Sequence, residues 1–257
     1  MENLLKTTLL GLFFGTFGTT LGGIIGATLK NTSNKFLSFI LALAGGLMIS
    51  VVCFELIPEA LEISNTITVL FGISIGIIGM ILCDVIVDKK FKSKINNSEK
   101  NLKRSRALNE KHKKELLKTG IIVSIGLAIH NFPEGLAIGS GFEASMKLGY
   151  SLAIAIALHD IPEGISMAVP MKQGGIKISK VILYVALSGI TTGIGAFFGA
   201  IVGEISQQII SICLAFAAGA MLYIVSGELI PESNKLYKGR MTAIGNIIGF
   251  ILGILVS

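Results

Sequence analysis

Stretch after stretch of this chain runs for about twenty residues with scarcely a charge, and that pattern decides most of what it can become. Approximate limits of eight such stretches are Leu4–Leu29, Phe36–Pro58, Ser64–Val87, Thr119–Gly141, Met146–Pro170, Lys180–Val202, Ile209–Pro231 and Met241–Val256. A helix of about 20 apolar residues crosses the hydrocarbon core of a bilayer, so each stretch is a predicted span. Only 15% of the 257 residues are charged, where a soluble domain carries about 25%. That is too little charge to wet the surface of a soluble fold this long. The reading is an all-α integral membrane protein of eight transmembrane helices.

Glycine fits that reading. Gly11, Gly15, Gly18, Gly22, Gly23 and Gly26 recur every three or four residues inside an apolar run, which puts small residues on one helix face and allows close backbone approach in lipid. Cys53, Cys83 and Cys213 fall in separate spans without a C-x-x-C pattern. They read as small buried hydrophobes rather than a disulfide framework. The first apolar run is too long for a signal-peptide core and lacks a small-residue cleavage site, so it counts as a span.

The loops give a direction. The polar stretch from Asp88 to Lys118 holds twelve of the 22 lysines and arginines. A nucleic-acid patch is one reading of such a run; a cytoplasmic loop is the better one, because basic residues hold loops on the inner side. Lys30, Lys35, Lys172, Lys177, Lys180, Lys235, Lys238 and Arg240 fall on that same side of an eight-span chain, and only Lys6 and Lys147 fall on the other. Both termini are therefore expected outside the cytoplasm. The abundance of Ile, Lys and Asn in a compact chain without targeting signals points to a prokaryotic plasma membrane.

An internal repeat separates transport from most other membrane functions. The segment LALAGGLMISVVCFELIPEALEI from Leu41 matches LAFAAGAMLYIVSGELIPESNKL from Leu214. The two lie in spans two and seven, which run in opposite directions, and an inverted repeat of that kind is common among transporters.

Two spans carry ionisable groups at membrane depth, where each costs at least a few kcal/mol and usually lines a pathway. Span four contains His130-Asn131-Phe132-Pro133-Glu134-Gly135, and span five His159-Asp160-Ile161-Pro162-Glu163-Gly164. On a helix, positions i and i+4 share a face, as do i and i+3. His130 therefore points with Glu134 and His159 with Glu163, while Asn131 and Asp160 sit one turn before those glutamates. Pro133 and Pro162 lack an N–H, which frees the carbonyls of Ile129 and Leu158. If the two helices face each other, two imidazoles, three carboxylates and an amide converge. Imidazole with carboxylate suits zinc and its first-row neighbours, whereas Mg²⁺ and Ca²⁺ prefer oxygen alone. A lone intramembrane histidine is often a packing residue. Two copies of one six-residue pattern are much harder to read that way.

Weaker signals surround the pair. Met48 offers a thioether, although methionine in an apolar helix is usually core. Glu55 and Glu228 occupy matching places in the repeat, and read equally as entrance and exit ligands or as interfacial carboxylates. Asp84 leans toward a solvated span end and His112 toward a solvated loop histidine. Pro58-Glu59 and Pro231-Glu232 read as span ends.

With these motifs the chain resembles the Zrt-, Irt-like protein (ZIP) family of metal transporters, and its short form is similar to the GufA-type prokaryotic branch. The likeness covers the eight spans, the long loop after span three, and HNFPEG and HDIPEG in spans four and five. It implies a 3+2+3 arrangement in which spans 1–3 and 6–8 form the inverted repeat. It also implies homodimers and an elevator-like movement of some helices against a scaffold. It implies a binuclear centre as well, with one site from His130, Glu134, His159, Glu163 and Met48, and a second from Asn131, Glu134, Asp160 and Glu163. One departure touches the second site: Thr192 stands where this branch often carries a glutamate.

The function expected is transport of divalent transition-metal ions, foremost Zn²⁺ uptake toward the cytoplasm, with Fe²⁺, Mn²⁺ and Cd²⁺ as further cargo. The partners expected are the metal ions and the bilayer, without nucleic acid. A membrane-embedded zinc hydrolase is the competing reading, since zinc on His and carboxylate activates water. Against it, zincin-type hydrolases use H-E-x-x-H, which is absent, and the repeat favours transport. A passive channel has the same sequence signature as a carrier.

Overall fold

Serine and asparagine side chains set where several helices begin. The computed structural model describes residues 2–29, 32–102 and 128–256. Helices α1 (Glu2–Thr28), α2 (Asn34–Ile63) and α3 (Thr66–Leu102) precede α4 (128–144). Then come α5 (Met146–Gln173), α6 (Ile178–Gly203), α7 (Gln207–Leu236) and α8 (Met241–Val256). Ser33, Asn65, Ser145 and Ser206 each accept the exposed backbone N–H three residues on, at 3.2, 3.0, 3.1 and 3.3 Å, which satisfies a donor the helix leaves free. Helix α5 ends before Gly175, whose φ of +90° suits glycine alone.

Six of these helices, α1, α2, α3, α5, α6 and α7, are long and apolar enough to cross a membrane, and α8 is a shorter apolar helix. The expected fourth span begins at Thr119; its residues 119–127 lie outside the described residues, as do 103–118 of the basic stretch and His112 within it. Helix α3 runs past the expected end at Val87 to Leu102, through a stretch with neither glycine nor proline to stop it.

The two Ile-Pro-Glu segments, expected as span ends, do not end their helices. Helix α2 continues through Pro58 to Ile63, and α7 through Pro231 to Leu236. Each proline follows a π-helical turn, Val52–Leu56 in α2 and Val225–Leu229 in α7. The wider turn takes up the ring and the missing N–H, so the rod is bulged rather than broken.

Glycines decide which helices touch backbone to backbone. On α1, a Cβ at Gly18, Gly22 or Gly26 would strike Ala157, Ile161 or Ile165 of α5. One at Gly11, Gly15 or Gly23 would strike Ala196, Thr192 or Val185 of α6. The expected single small face is thus two adjoining stripes, each serving its own neighbour. Gly135 and Gly139 of α4 meet α6 at Thr192 and Ala196 in the same way. Elsewhere, Gly72 and Gly76 seat α3 on α7, and Gly245, Gly249 and Gly253 seat α8 on α2. These contacts join α1, α4, α5 and α6 into one block and leave two pairs, α3 with α7 and α2 with α8, which the hydrogen bonds of Ser211 to the Ala60 carbonyl and of Ser233 to the Ser38 carbonyl tie into a second block. Among the described glycines, every Cβ that would approach another helix within 3.0 Å does so inside its own block. Between the blocks, α2 lies along α5, with Met48, Leu152, Ile156, Leu214 and Met221 in one buried apolar cluster.

The blocks are internally symmetric. A shift of 173 residues carries Gly46 at the Asn246 carbonyl onto Gly219 at the Ile73 carbonyl, and Gly249 at Leu43 onto Gly76 at Phe216. The same shift superposes the two π turns. It also carries Gly22 at Ile161 onto Gly195 at Phe132, so α5 and α4 are equivalent 29 residues apart. Leu9, Phe13, Leu70, Phe71, Leu183 and Ile251 face outward, while α5 is buried along most of its length.

Candidate metal site

Helices α4 and α5 can carry polar groups because they are the enclosed ones. Gly135 follows Glu134 and lets α4 settle on the Thr192 carbonyl of α6; Gly164 follows Glu163 and lets α5 settle on the Thr19 carbonyl of α1. Thr19 and Thr192 are themselves related by the 173-residue shift. Each P-E-G triplet therefore does two things: glycine draws the helix against its support, and the preceding glutamate is left on the side shared by α4 and α5. Both segments stay helical through Pro133 and Pro162. His159 is the fourteenth of the 28 residues of α5, so the site is half-way along the rod.

The structure brings the six motif residues together, all buried: His130 is 1% exposed, and Asn131, Glu134, His159, Asp160 and Glu163 are 0% exposed. Two overlapping sets have ligand atoms within 4.8 Å of one another, His130 with Glu134 and Glu163, and Glu134 with His159 and Asp160. His159 Nε2 lies 2.9 Å from Glu134 Oε1 and 3.7 Å from Asp160 Oδ1; His130 Nε2 lies 3.4 Å from Glu163 Oε1. Two ligands on one tetrahedral zinc, each about 2.1 Å from the ion, are roughly 3.4 Å apart. The His130–Glu163 separation is therefore already that of a chelating pair. Asn131 is held by its amide, which donates to the Ser188 carbonyl of α6 at 3.1 Å and leaves Oδ1 unbonded.

The remaining polar atoms argue for a cation. Both imidazole nitrogens of His130, Nδ1 of His159, Oε2 of Glu134, and both carboxylate oxygens of Asp160 and of Glu163 are buried without a hydrogen bond. Unbonded buried charges are costly, and a protein-only network would be expected to satisfy more of them. A divalent ion accepts lone pairs from imidazole and carboxylate alike, so a bound ion meets the need that hydrogen bonds leave unmet. Glu134 belongs to both sets and is placed to touch an ion in either. The sets divide the residues differently from the sites implied by family resemblance, because Asp160 stands beside its sequence neighbour His159.

Met48 is fully buried in the apolar cluster between the blocks. Thr192 is buried at the contact with Gly15, and its hydroxyl has no hydrogen-bond partner. Asp84 accepts a 2.7 Å hydrogen bond from the Tyr223 hydroxyl, and Glu228 lies in the π turn of α7. Glu55, in the matching turn of α2, accepts from the Ser151 hydroxyl at 2.8 Å. Sequence reasoning missed Ser188 and Ser151 altogether, since a single serine in an apolar span carries no pattern. Cys53, Cys83 and Cys213 are all free, as expected, but only Cys213 is buried; Cys83 is half-buried and Cys53 faces outward, which corrects the reading of all three as buried hydrophobes.

A family model for the ZIP zinc transporter matches residues 4–257. The chain belongs to the ZIP family. Among curated relatives, the zinc transporter ZupT of Clostridium perfringens is 34% identical over 273 aligned positions, covering 98% of this chain and 95% of its own. The ZupT of Oceanobacillus iheyensis is also 34% identical, over 98% of this chain and 97% of its own. The zinc transporter GufA of Myxococcus xanthus is 35% identical over 54% of this chain and 55% of its own. As a ZIP protein the chain is placed among transporters rather than hydrolases.

Proposed function

We propose that this ZIP chain carries Zn²⁺ across the membrane toward the cytoplasm, with Fe²⁺, Mn²⁺ and Cd²⁺ as further cargo. The ion is passed through the ligands that α4 and α5 bury half-way along the bilayer. One observation carries the proposal: two imidazoles and three carboxylates converge within metal-binding distance while most of their polar atoms lack a hydrogen bond. His130, Glu134, His159 and Glu163 are the primary ligands, with Met48 as a soft ligand from α2. Asn131 and Asp160 extend the set toward a second ion. The similarity to proteins named zinc transporters agrees in cargo.

Eight crossings in a 3+2+3 arrangement account for the helix directions. In such a chain odd and even helices run oppositely. The glycine contacts make α1 parallel to α5, α2 to α8, α3 to α7 and α4 to α6, and make α1 antiparallel to α6. Every parallel pair has matching parity and the antiparallel pair does not. The 173-residue shift pairs α1–α3 with α6–α8, of opposite parity, which supports an inverted repeat. The excess of basic residues on one side supports cytoplasmic loops there and both termini outside.

The two blocks support an elevator-like cycle. Backbone-to-backbone contacts, joined in the second block by the hydrogen bonds between α2 and α7, resist sliding within a block, whereas the apolar side chains between blocks can repack at modest cost. The block of α1, α4, α5 and α6 carries the six motif ligands and moves against the other, which carries Met48. A homodimer completes the proposal, and native mass spectrometry in lipid nanodiscs checks it against a monomer.

The test is accumulation of ⁶⁵Zn by cells lacking their own zinc importers. Expression of this chain is expected to restore saturable uptake, and His130→Ala with His159→Ala to remove it. Uptake equal to an empty vector, with the protein present in the membrane, refutes the proposal.

A further inference from the structure

Beyond the ligands, the contact between Glu55 and Ser151 calls for an explanation. Glu55 is on α2, in one block, and Ser151 on α5, in the other. Their 2.8 Å hydrogen bond therefore crosses the plane on which the blocks pack, beside a buried apolar cluster. Glu55 is 6% exposed, and bonds to a carboxylate in such surroundings are the strong ones. Steps of four residues lead from Ser151 through Ala155 to His159 and Glu163 on α5, each drifting about 40° round the rod, so the bond lies on the flank beside the metal ligands. Eight residues separate Ser151 from His159, about 12 Å along the rod.

The internal symmetry makes this contact one-sided. The 173-residue shift carries Glu55 to Glu228, and the 29-residue shift carries Ser151 to Ile122. Isoleucine has no hydroxyl to donate, and among the described residues no hydroxyl donates to Glu228 as Ser151 does to Glu55. The hydrogen bond therefore belongs to the arrangement of the blocks seen here.

We propose that Ser151 and Glu55 form a polar latch that holds the two blocks in the register seen here and breaks in each transport cycle. The inference rests on the sliding-block reading above. The latch sets how much of the protein waits in this register, and hence how readily the ligand-bearing block leaves it. Ser151 acts by position and touches no metal.

The experiment uses the full chain in lipid nanodiscs, with its three cysteines replaced by alanine and spin labels at Ile78→Cys on one block and Leu187→Cys on the other. Both positions are exposed. Double electron–electron resonance reads the distance distribution between blocks, and zinc uptake is measured in parallel. Ser151→Ala is expected to shift the ratio of registers by about tenfold away from the distance seen here and to change the uptake rate. Ser151→Thr, which keeps the hydroxyl, is expected to match the parent. Should Ser151→Ala not fold, Glu55→Gln keeps an accepting oxygen without the charge and is expected to shift the ratio the same way by less. If the blocks populate two distances but Ser151→Ala equals the parent in both distance and uptake, the latch is refuted and sliding blocks stand. If one unchanging distance persists in every variant, with and without zinc, while uptake continues, the sliding-block reading fails and takes the latch with it.

Discussion

Replacing Gly164 with alanine tests whether the site depends on how closely α5 rests on α1. The new Cβ would stand 2.9 Å from the Gly23 nitrogen and 3.1 Å from the Gly22 carbonyl carbon, and closer still to the Thr19 carbonyl oxygen. All three are backbone atoms, so no side chain can step aside. Ordinary contact begins at 3.4 Å, and the two helices must part by roughly 1 Å to reach it. Overpacking of this kind costs about 1–3 kcal/mol. Glu163 precedes the substituted residue, and Asp160 sits one turn back against Gly18, so both ligands move with the helix. Functional groups need to be placed within about 0.5 Å, and the displacement is twice that. Zinc uptake into proteoliposomes is expected to fall at least tenfold, and the melting temperature in detergent to fall by several degrees. Gly79→Ala is the control: its Cβ would meet only the Phe216 ring, at 3.5 Å, and alanine favours the helix by about 1 kcal/mol. Wild-type uptake and melting in Gly164→Ala would show that this close approach does not position the ligands.

Thr192→Glu places a carboxylate one turn along α6 from the carbonyl that Asn131 grips. It is expected to raise the zinc bound per protein, measured by inductively coupled plasma mass spectrometry; an unchanged ratio counts against Asn131 and Asp160 as part of a second site. X-ray absorption at the zinc edge is expected to show imidazole and carboxylate ligands near about 2.0 Å, with a sulfur contribution that disappears in Met48→Leu. A spectrum without sulfur in the parent removes Met48 from the ligand set. Ser145→Ala removes the cap of α5 and is expected to cost about 1 kcal/mol, lowering the melting temperature while sparing the zinc spectrum; a changed spectrum would mean that the cap shapes the site itself.

How much was legible beforehand follows from where each signal is stored. Apolar runs show in a linear sequence because every residue of a lipid-facing helix must be compatible with lipid, and the long helices were found from that requirement alone. His130, Glu134, His159 and Glu163 were legible for a related reason: ionisable groups at such depth have few reasons to exist. Helix ends were harder. Pro58 and Pro231 look like breakers, and only the three-dimensional turn shows that a π bulge absorbs each ring. The glycines announced close packing, but not that those of α1 divide between two partners. That choice depends on which neighbour presents a small residue at the same height. Ser188 and Ser151 could not be read at all, because each matters through one contact with a residue 57 or 96 positions away.

The central claim is that zinc crosses through the ligands on α4 and α5. Reconstitution in liposomes loaded with a zinc-sensitive dye tests it most directly, comparing the parent with Glu134→Ala plus Glu163→Ala. The expected result is saturable uptake by the parent and none by the double variant, with both equally inserted and folded. Equal zinc flux through the two proteins would contradict the account, because the ion would then be crossing by a route that needs neither carboxylate.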